Sequence, residues 1–354
     1  MLAYWLERKF DLMVSCLEKL SNAAGVGGLT EASHLAADML REYCDEVEID
    51  ALGNVIGRKK SVRKNAPVLM LEAHIDEIGL IVTSIDDSGF VHAAACGGVD
   101  RRSLPAAEVI LHGDKPYLGV FCSTPPHLKK KEDKDTLPEI PDLGIDIGMD
   151  AETARLHIQQ GDRISFKPNF KQINETVVCG KSLDDRAGVA SILYCLDLLK
   201  KEGAEPEFDI AVVFAVQEEL GCRGSAVSAY RVNPDYAVAV DVSFAHTPDA
   251  DCAKCGKLGG GPMVGWSPTL DDAMTRKLIS IAEEHDIEYQ NEVMGGSTGT
   301  DAESISDARS GTRTALLSVP LRYMHTPVEM IDIRDVQRVG QPMALFAKRG
   351  VGEL

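Results

Sequence analysis

The stretch Val68-Leu-Met-Leu-Glu-Ala-His74-Ile-Asp76 decides how this chain folds. An apolar run of that length, ending on an imidazole and a carboxylate, reads as a strand buried on both faces, as in a parallel sheet covered by helices. Four other stretches share its grammar: Val177-Val-Cys-Gly-Lys-Ser-Leu-Asp184-Asp185-Arg186, Ile210-Ala-Val-Val-Phe-Ala-Val-Gln-Glu218-Glu219, Tyr236-Ala-Val-Ala-Val-Asp241 and Thr314-Ala-Leu-Leu-Ser-Val-Pro-Leu-Arg-Tyr-Met-His325. In open α/β sheets ligands collect beyond the carboxyl ends of the strands, which is where each run puts its acid or imidazole.

Around these runs the chain alternates strand and helix, and between them its texture changes. Residues 3–22 predict a first helix, with Leu2, Trp5, Leu6, Phe10, Met13 and Leu17 on an amphipathic stripe. A second helix is expected to open at Thr30 as its N-cap. Two short strands then flank a Leu-Gly-Asn turn within residues 47–56. Beyond Glu77 the grammar becomes that of hairpins: Ile78-Gly-Leu-Ile-Val-Thr-Ser-Ile, the turn Asp86-Asp-Ser-Gly89, Phe90-Val-His, and further short strands at Glu108 and Tyr117. A charge run over 129–135 reads as a solvated loop, residues 151–160 as a short helix, and residues 161–168 as a closing strand. The expected division is a catalytic α/β domain of residues 1–76 plus 169–354, with a mixed sheet flanked by helices, interrupted by a small β-rich module over 77–168. The helix from Asp184 to Lys201 is expected to bury one face, carrying Val189, Ile192, Leu193, Leu196 and Leu199.

Composition narrows the function. The 354 residues, 44% hydrophobic and 26% charged, suit an ordinary globular protein large enough for two domains. A net charge of −18 argues against nucleic acid and anionic membrane as partners, since both require a basic surface. No apolar run approaches the roughly 18 residues of a membrane span, and the N-terminus lacks the pattern of a signal peptide. Nine scattered cysteines, an odd number, argue against a disulfide framework and point to the reducing cytoplasm. Cys252-Ala-Lys-Cys255 is the only CxxC and lacks a second pair, which leaves its role open.

The polar tips carry the chemistry. His74 and Asp76, two apart on an extended segment, point the same way, so the carboxylate can orient an imidazole. Asp184 and Asp185 open a helix, where carboxylates are favoured by the dipole even without a metal. Glu218 and Glu219 repel each other unless something positive compensates, and as neighbours on a strand they would face opposite ways. A glycosidase pair needs two carboxylates facing each other roughly 5 Å or more apart, which consecutive residues seldom achieve. Singly, each of these residues has an ordinary structural reading. Together, two His, two Asp and one Glu can supply nitrogen and oxygen ligands to a pair of cations such as zinc, cobalt or manganese.

The ordered set of motifs resembles the tetrahedral (TET-type) metallo-aminopeptidases, the family also labelled glutamyl aminopeptidase or, misleadingly, cellulase M. The matching stretches are Ala73-His-Ile-Asp-Glu-Ile-Gly79, Lys181-Ser-Leu-Asp-Asp-Arg-Ala-Gly188, Gln217-Glu-Glu-Leu-Gly-Cys-Arg-Gly-Ser225, Val240-Asp-Val242, Gly299-Thr-Asp-Ala302 and Tyr323-Met-His-Thr-Pro-Val-Glu329, with Pro125-Pro-His127 inside the inserted module. The resemblance implies a phosphorylase/hydrolase-like zinc exopeptidase architecture with two divalent metal ions per subunit. In it Asp184 bridges both ions, His74 and Asp241 complete one site, and Glu219 and His325 complete the other. It also implies Glu218 as general base, Asp76 as the partner of His74, and Thr300, Asp301 and Ala302 lining the substrate pocket. The inserted module resembles the family's PDZ-like dimerisation domain, which implies self-association into a tetrahedral homododecamer built from dimers. The expected reaction removes the N-terminal residue of a short peptide, with a metal-bridged water activated from a pKa of about 16 toward 7 and Glu218 moving its proton. A dinuclear amidohydrolase of other specificity, such as an N-acyl deacylase or carboxypeptidase, would use the same ligands. A non-catalytic oligomeric scaffold is the reading from a different class.

Overall fold

The computed structural model describes residues 2–125, 127–128, 137–248 and 250–352, with side chains from residue 11 onward. The charge run at 129–135 and Pro126 of the Pro-Pro-His motif lie outside those residues. In chain order the elements begin with α1 (Leu2–Asn22), α2 (Glu31–Leu40), β1 (Glu46–Ile49), β2 (Val55–Lys59) and β3 (Val68–His74). There follow β4 (Gly79–Ile85), β5 (Val91–Cys96), β6 (Glu108–His112), β7 (Pro116–Phe121), β8 (Ile145–Asp146), α3 (Ala151–His157) and β9 (Arg163–Phe166). The remainder is β10 (Lys171–Gln172), β11 (Val177–Gly180), α4 (Leu183–Glu202), β12 (Asp209–Ala215), α5 (Arg223–Val232), β13 (Tyr236–Phe244), β14 (Met263–Trp266), α6 (Asp272–Glu284), β15 (Gln290–Val293), α7 (Asp301–Ser306), β16 (Arg313–Arg322), β17 (Glu329–Asp332) and α8 (Ile333–Arg349). Among the described residues no helix is long and apolar enough to cross a membrane.

The larger sheet is mixed, in the order β1-β2-β12-β3-β13-β16-β17-β11-β10, with β14 and β15 attached beside β16. Its centre, β12-β3-β13-β16, is parallel throughout. Side chains alternate between the faces of these strands. Leu69, Leu71, Ala73, Val238, Val240, Leu317 and Val319 enter the core shared with α1, α4 and α8, while Met70, Ala211, Val213, Ala237, Ala239 and Leu316 enter the core under α5 and α7. Each wholly buried Leu or Val of this kind contributes about 1.5–3 kcal/mol over an exposed one. Helix α4 is buried almost all round from Leu183 to Leu193, so the single buried face expected from its sequence is exceeded. Its close neighbour α8 approaches where Gly340 stands, since a Cβ there would lie 2.7 Å from the Ser191 carbonyl oxygen.

Strands β4–β9 pair only among themselves and close into a barrel, in the order β4-β5-β8-β7-β6-β9 with β9 returning to β4. Its interior is apolar, with Leu80, Val82, Val91, Val109, Leu111 and Phe166 buried. The hairpin at its start turns at Asp86, whose carboxylate accepts the backbone N–H of Ser88 and Phe90. Two local expectations change. Thr30 precedes α2 without making a side-chain cap bond. Strand β11 is antiparallel to both its neighbours and only half-buried, so it is not one of the doubly covered parallel strands.

Candidate metal centre

The carboxyl ends of β3, β12, β13 and β16 lie at one edge of the sheet, and the polar tips gather there. His74 is the last residue of β3 and shares its face with Met70 and Glu72. Asp241 shares its face with Ala237 and Ala239, so both point to the side of the sheet covered by α5 and α7. Contrary to the sequence reading, Asp241 does not end its strand: β13 runs on to Phe244. What ends is its pairing with β3, which stops at Ala239↔Glu72. Past that point the two strands part, and the gap between His74 and Asp241 receives side chains from elsewhere.

Asp184 fills it. Its Oδ1 lies 3.0 Å from His74 Nε2, and its Oδ2 lies 3.4 Å from His325 Nε2. The Asp184–Asp185 peptide bond is cis, and regular helix begins only beyond Asp185. Glu219 Oε2 stands 3.4 Å from His325 Nε2, and Asp241 Oδ1 4.0 Å from His74 Nε2. Among the described residues four triads have ligand atoms all within 4.8 Å of one another: His74 with Asp185 and Asp241, Asp184 with Glu219 and His325, His74 with Glu218 and Glu219, and, to one side, Glu218 with Cys222 and Asp301. Behind each imidazole stands an oxygen, at hydrogen-bonding distance for His325 but only in a longer contact for His74, whose Nδ1 makes no hydrogen bond. His74 Nδ1 is 3.5 Å from Asp76 Oδ1, which also accepts the Glu218 N–H at 3.1 Å. His325 Nδ1 lies 3.0 Å from the Gly98 carbonyl oxygen, which fixes Nε2 toward the cluster.

The electrostatics are lopsided. Among the described residues, Asp76, Asp184, Asp185, Glu218, Glu219 and Asp241 make no ion pair with any Lys or Arg. Burial, then repulsion from Asp184, pushes the Glu219 carboxyl up to about 10. Burial first, with Asp184 adding, raises Asp241, and burial with Asp241 raises Asp185, both well above the carboxylate range. Asp184 goes the other way: burial opposes its charge, but the bonds to His325 and His74 hold it below its ordinary value. The Asp185 Oδ2 atom is buried without a hydrogen-bond partner. Crowded carboxylates, an orphaned oxygen and imidazoles aimed inward fit a divalent cation, which would supply the missing positive charge.

Other expected site residues land elsewhere. Glu218 and Glu219 are not adjacent strand residues: β12 ends at Ala215 and both lie in the turn that follows, after Gln217 at a φ of 63°. Both therefore reach the cluster. Thr300 lines the cavity above it and caps α7 by accepting the Ala302 N–H. Asp301 and Ala302 do not line that cavity. Ala302 is fully buried in the core, and the Asp301 carboxylate turns inward to accept the Ser225 hydroxyl.

The sequence reading assigned nothing to Glu329, although it holds two of the site's residues. Its Oε2 accepts the Asp184 N–H and its Oε1 the His325 N–H, each at 3.0 Å. Nor did it find Glu77, buried against Lys181 at 2.7 Å, which also accepts the Gly25 N–H at 2.7 Å and the Ser182 hydroxyl. These carboxylates serve backbone amides and a lysine distant in sequence, which no spacing rule reveals. A signal for Glu329 was its place in a short alternating strand, where an acid pointing inward needs a partner.

The M42 glutamyl aminopeptidase family profile matches residues 53–341. The lysyl aminopeptidase of Pyrococcus furiosus is 34% identical over 326 residues, covering 90% of this chain and 92% of its own. An aminopeptidase from the archaeon Desulfurococcus kamchatkensis superposes with a TM-score of 0.88 at 32% identity over 96% of both chains. The TET1 peptidase of Pyrococcus horikoshii, which can assemble into a tetrahedron or a large octahedral shell, superposes with a TM-score of 0.83 at 30% identity, covering 96% of this chain and 100% of its own. The chain belongs to the M42 glutamyl aminopeptidase family and is a hydrolase acting on peptide bonds.

Proposed function

We propose that the chain is a dinuclear-metal aminopeptidase that removes N-terminal residues from short peptides. The observation that carries this reading is the position of Asp184, whose two oxygens face two different imidazoles at 3.0 and 3.4 Å. A carboxylate so placed can serve two cations at once. His74 and Asp241 would complete one site and Glu219 and His325 the other, with zinc, cobalt or manganese all matched to these donors. When bound, the pair of ions would polarise the scissile carbonyl and acidify the attacking water. Glu218, beside His74 and facing the cavity, would take the proton from that water and deliver it to the leaving amine. Asp76 would hold His74 in register through its 3.5 Å contact, and Thr300 would border the bound peptide.

We assign catalysis to residues 1–76 with 169–354, and association to the β-rich module of 77–168, as a PDZ-like dimerisation unit. Exposed apolar side chains on its surface, Leu118 and Val120 on β7 and Leu156 on α3, support an interface role. Dimers joined this way would build a tetrahedral dodecamer in the cytoplasm, an arrangement supported by the tetrahedral assembly of the P. horikoshii relative. The test is hydrolysis of aminoacyl-p-nitroanilides, free and N-acetylated, by metal-stripped protein with zinc, cobalt or manganese restored. Metal-dependent cleavage of the free-amine compounds alone is expected. Cleavage of the acetylated compounds would instead indicate a deacylase or endopeptidase, and silence throughout a scaffold.

A further inference from the structure

The cavity over the cluster, about 770 Å³, holds one acid that the proposed chemistry leaves unused. Besides Asp184, Glu218, Glu219 and Asp241, the only carboxylate on its lining among the described residues is Glu292 of β15. We infer that Glu292 closes the pocket for the peptide's first side chain and selects a basic residue, lysine or arginine. The inference rests on the aminopeptidase reading and adds the substrate class to it.

Register places Glu292. Asp241 pairs with Ser318 of β16, and Ser243 lies two residues beyond Asp241 on the same face of β13. Glu292 accepts hydrogen bonds from both serines, Ser243 Oγ on Oε1 and Ser318 Oγ on Oε2, the latter at 3.2 Å. Its carboxylate is therefore anchored between the level of Ser318, which is that of Asp241, and the level of Ser243, one pleat or roughly 6–7 Å further along the sheet. The four methylenes of a lysyl side chain bridge such a step when the α-amino group sits at the cluster.

The chemistry of the pocket matches. A carboxylate accepts about four hydrogen bonds, and the two serines leave capacity on both oxygens. No Lys or Arg among the described residues forms an ion pair with Glu292, and Lys254, the only such residue on the lining, is exposed to solvent. Met263, Met294, Phe244 and Val293 provide apolar wall for a methylene stem that ends in a charge. An acidic first residue would meet uncompensated repulsion, and a leucyl side chain would leave the acid desolvated and unpaired.

The experiment compares kcat/KM for lysyl-, arginyl-, leucyl- and glutamyl-p-nitroanilide with metal-loaded wild type, Glu292→Gln and Glu292→Lys. The wild type is expected to favour the lysyl and arginyl compounds, and Glu292→Gln to lower the lysyl-to-leucyl ratio about 10- to 100-fold, mostly through KM. Glu292→Lys is expected to bring the glutamyl compound above the lysyl one. An unchanged ratio in Glu292→Gln, or a wild type that prefers leucyl or glutamyl substrate, overturns the pocket assignment while leaving an aminopeptidase. Silence on every free-amine compound by protein shown to hold metal overturns the aminopeptidase reading, and the pocket assignment with it.

Discussion

In the barrel, Leu80, Val91, Val109, Leu111, Ile145 and Ile164 are wholly buried against one another, and Ser165 is the only buried polar side chain among the described residues of β4–β9. At the edge of the parallel strands, a few residues away in sequence, His74, Asp76, Asp184, Asp185 and Asp241 are buried together. Among the described residues, the buried side-chain nitrogen and oxygen atoms left without a hydrogen-bond partner all belong to this second region or its surroundings, on Glu72, His74, Asp185, Arg186 and Asp301. The contrast separates two uses of burial. The barrel gains stability from its own apolar contacts. The strand edge gives up stability by desolvating like charges, and that cost is recovered only when a cation arrives. Natural proteins place such unfinished polar clusters at functional sites.

The sharpest way to break this contrast is to change one atom pair in the charged region. Glu218→Gln keeps the volume and removes only the ability to take a proton. Turnover is expected to fall by about 10²- to 10⁴-fold, with both bound metal ions retained on elemental analysis. Near-normal turnover would remove Glu218 from the chemistry and leave its crowding against His74 unexplained.

A second effect follows from the missing positive charge. Cations supplied at about 100 times their Kd are expected to stabilise the folded protein by about 2.7 kcal/mol for each site, with local amide protection gained at 182–186, 217–219 and 323–326. A local gain of equal size in the barrel strands would erase the distinction between the regions. The pH dependence gives the sign. Glu219 has an ordinary value of 4.5 and a folded value of about 10, so between those limits the folded state holds a proton that the unfolded chain has lost. Stability of the cation-free protein must then fall as pH rises from about 5 to 9. Asp184, held low, contributes in the opposite sense, but its change lies below that window. Loaded protein should lose this slope, because the ligands are ionised throughout. A chelated protein whose Tm rises with pH would contradict the crowding argument.

How far the sequence went follows from what each residue answers to. His74, Glu218, Glu219 and His325 were legible as site candidates because each lies at or just beyond a long apolar strand, a pattern carried by local periodicity. The hairpin texture after Glu77 was legible for the same reason, being set by turn residues such as Asp86 and Gly89. What could not be read was everything decided by long-range register. The turn that brings Glu218 and Glu219 to the same side depends on a left-handed Gln217. The roles of Glu329 and Glu77 depend on backbone amides more than fifty residues away, at Asp184 and Gly25. The inward turn of Asp301 depends on Ser225 of a different helix.

The two regions meet along the loop after β5, where Gly97 approaches Glu219 and Gly98 approaches His325, and the second contact serves as a finer probe. Gly98, in the loop after β5, offers its carbonyl to His325 Nδ1, and the Asp100 N–H donates to the His325 carbonyl oxygen at 3.2 Å. The apolar module thus reaches into the charged cluster by backbone alone. A Cβ on Gly98 would stand 2.7 Å from Nδ1 and 3.0 Å from Cε1 of that ring, closer than such contacts permit. The ring is an end-of-chain group, so it should swing away before the loop backbone moves. Nε2 would then leave its places 3.4 Å from both Asp184 and Glu219. Gly98→Ala is expected to weaken one of two cation sites by about 10- to 100-fold, the usual cost of losing a ligand's orienting partner, while the other site and the barrel's own stability hold. Titration of the stripped variant with zinc or cobalt should resolve two unequal affinities where the proposed pair of sites would give two tight ones in the wild type. If both sites weaken together, Asp184 has moved as well and the loop positions more than His325. If neither weakens, the Gly98 carbonyl is not what fixes the imidazole.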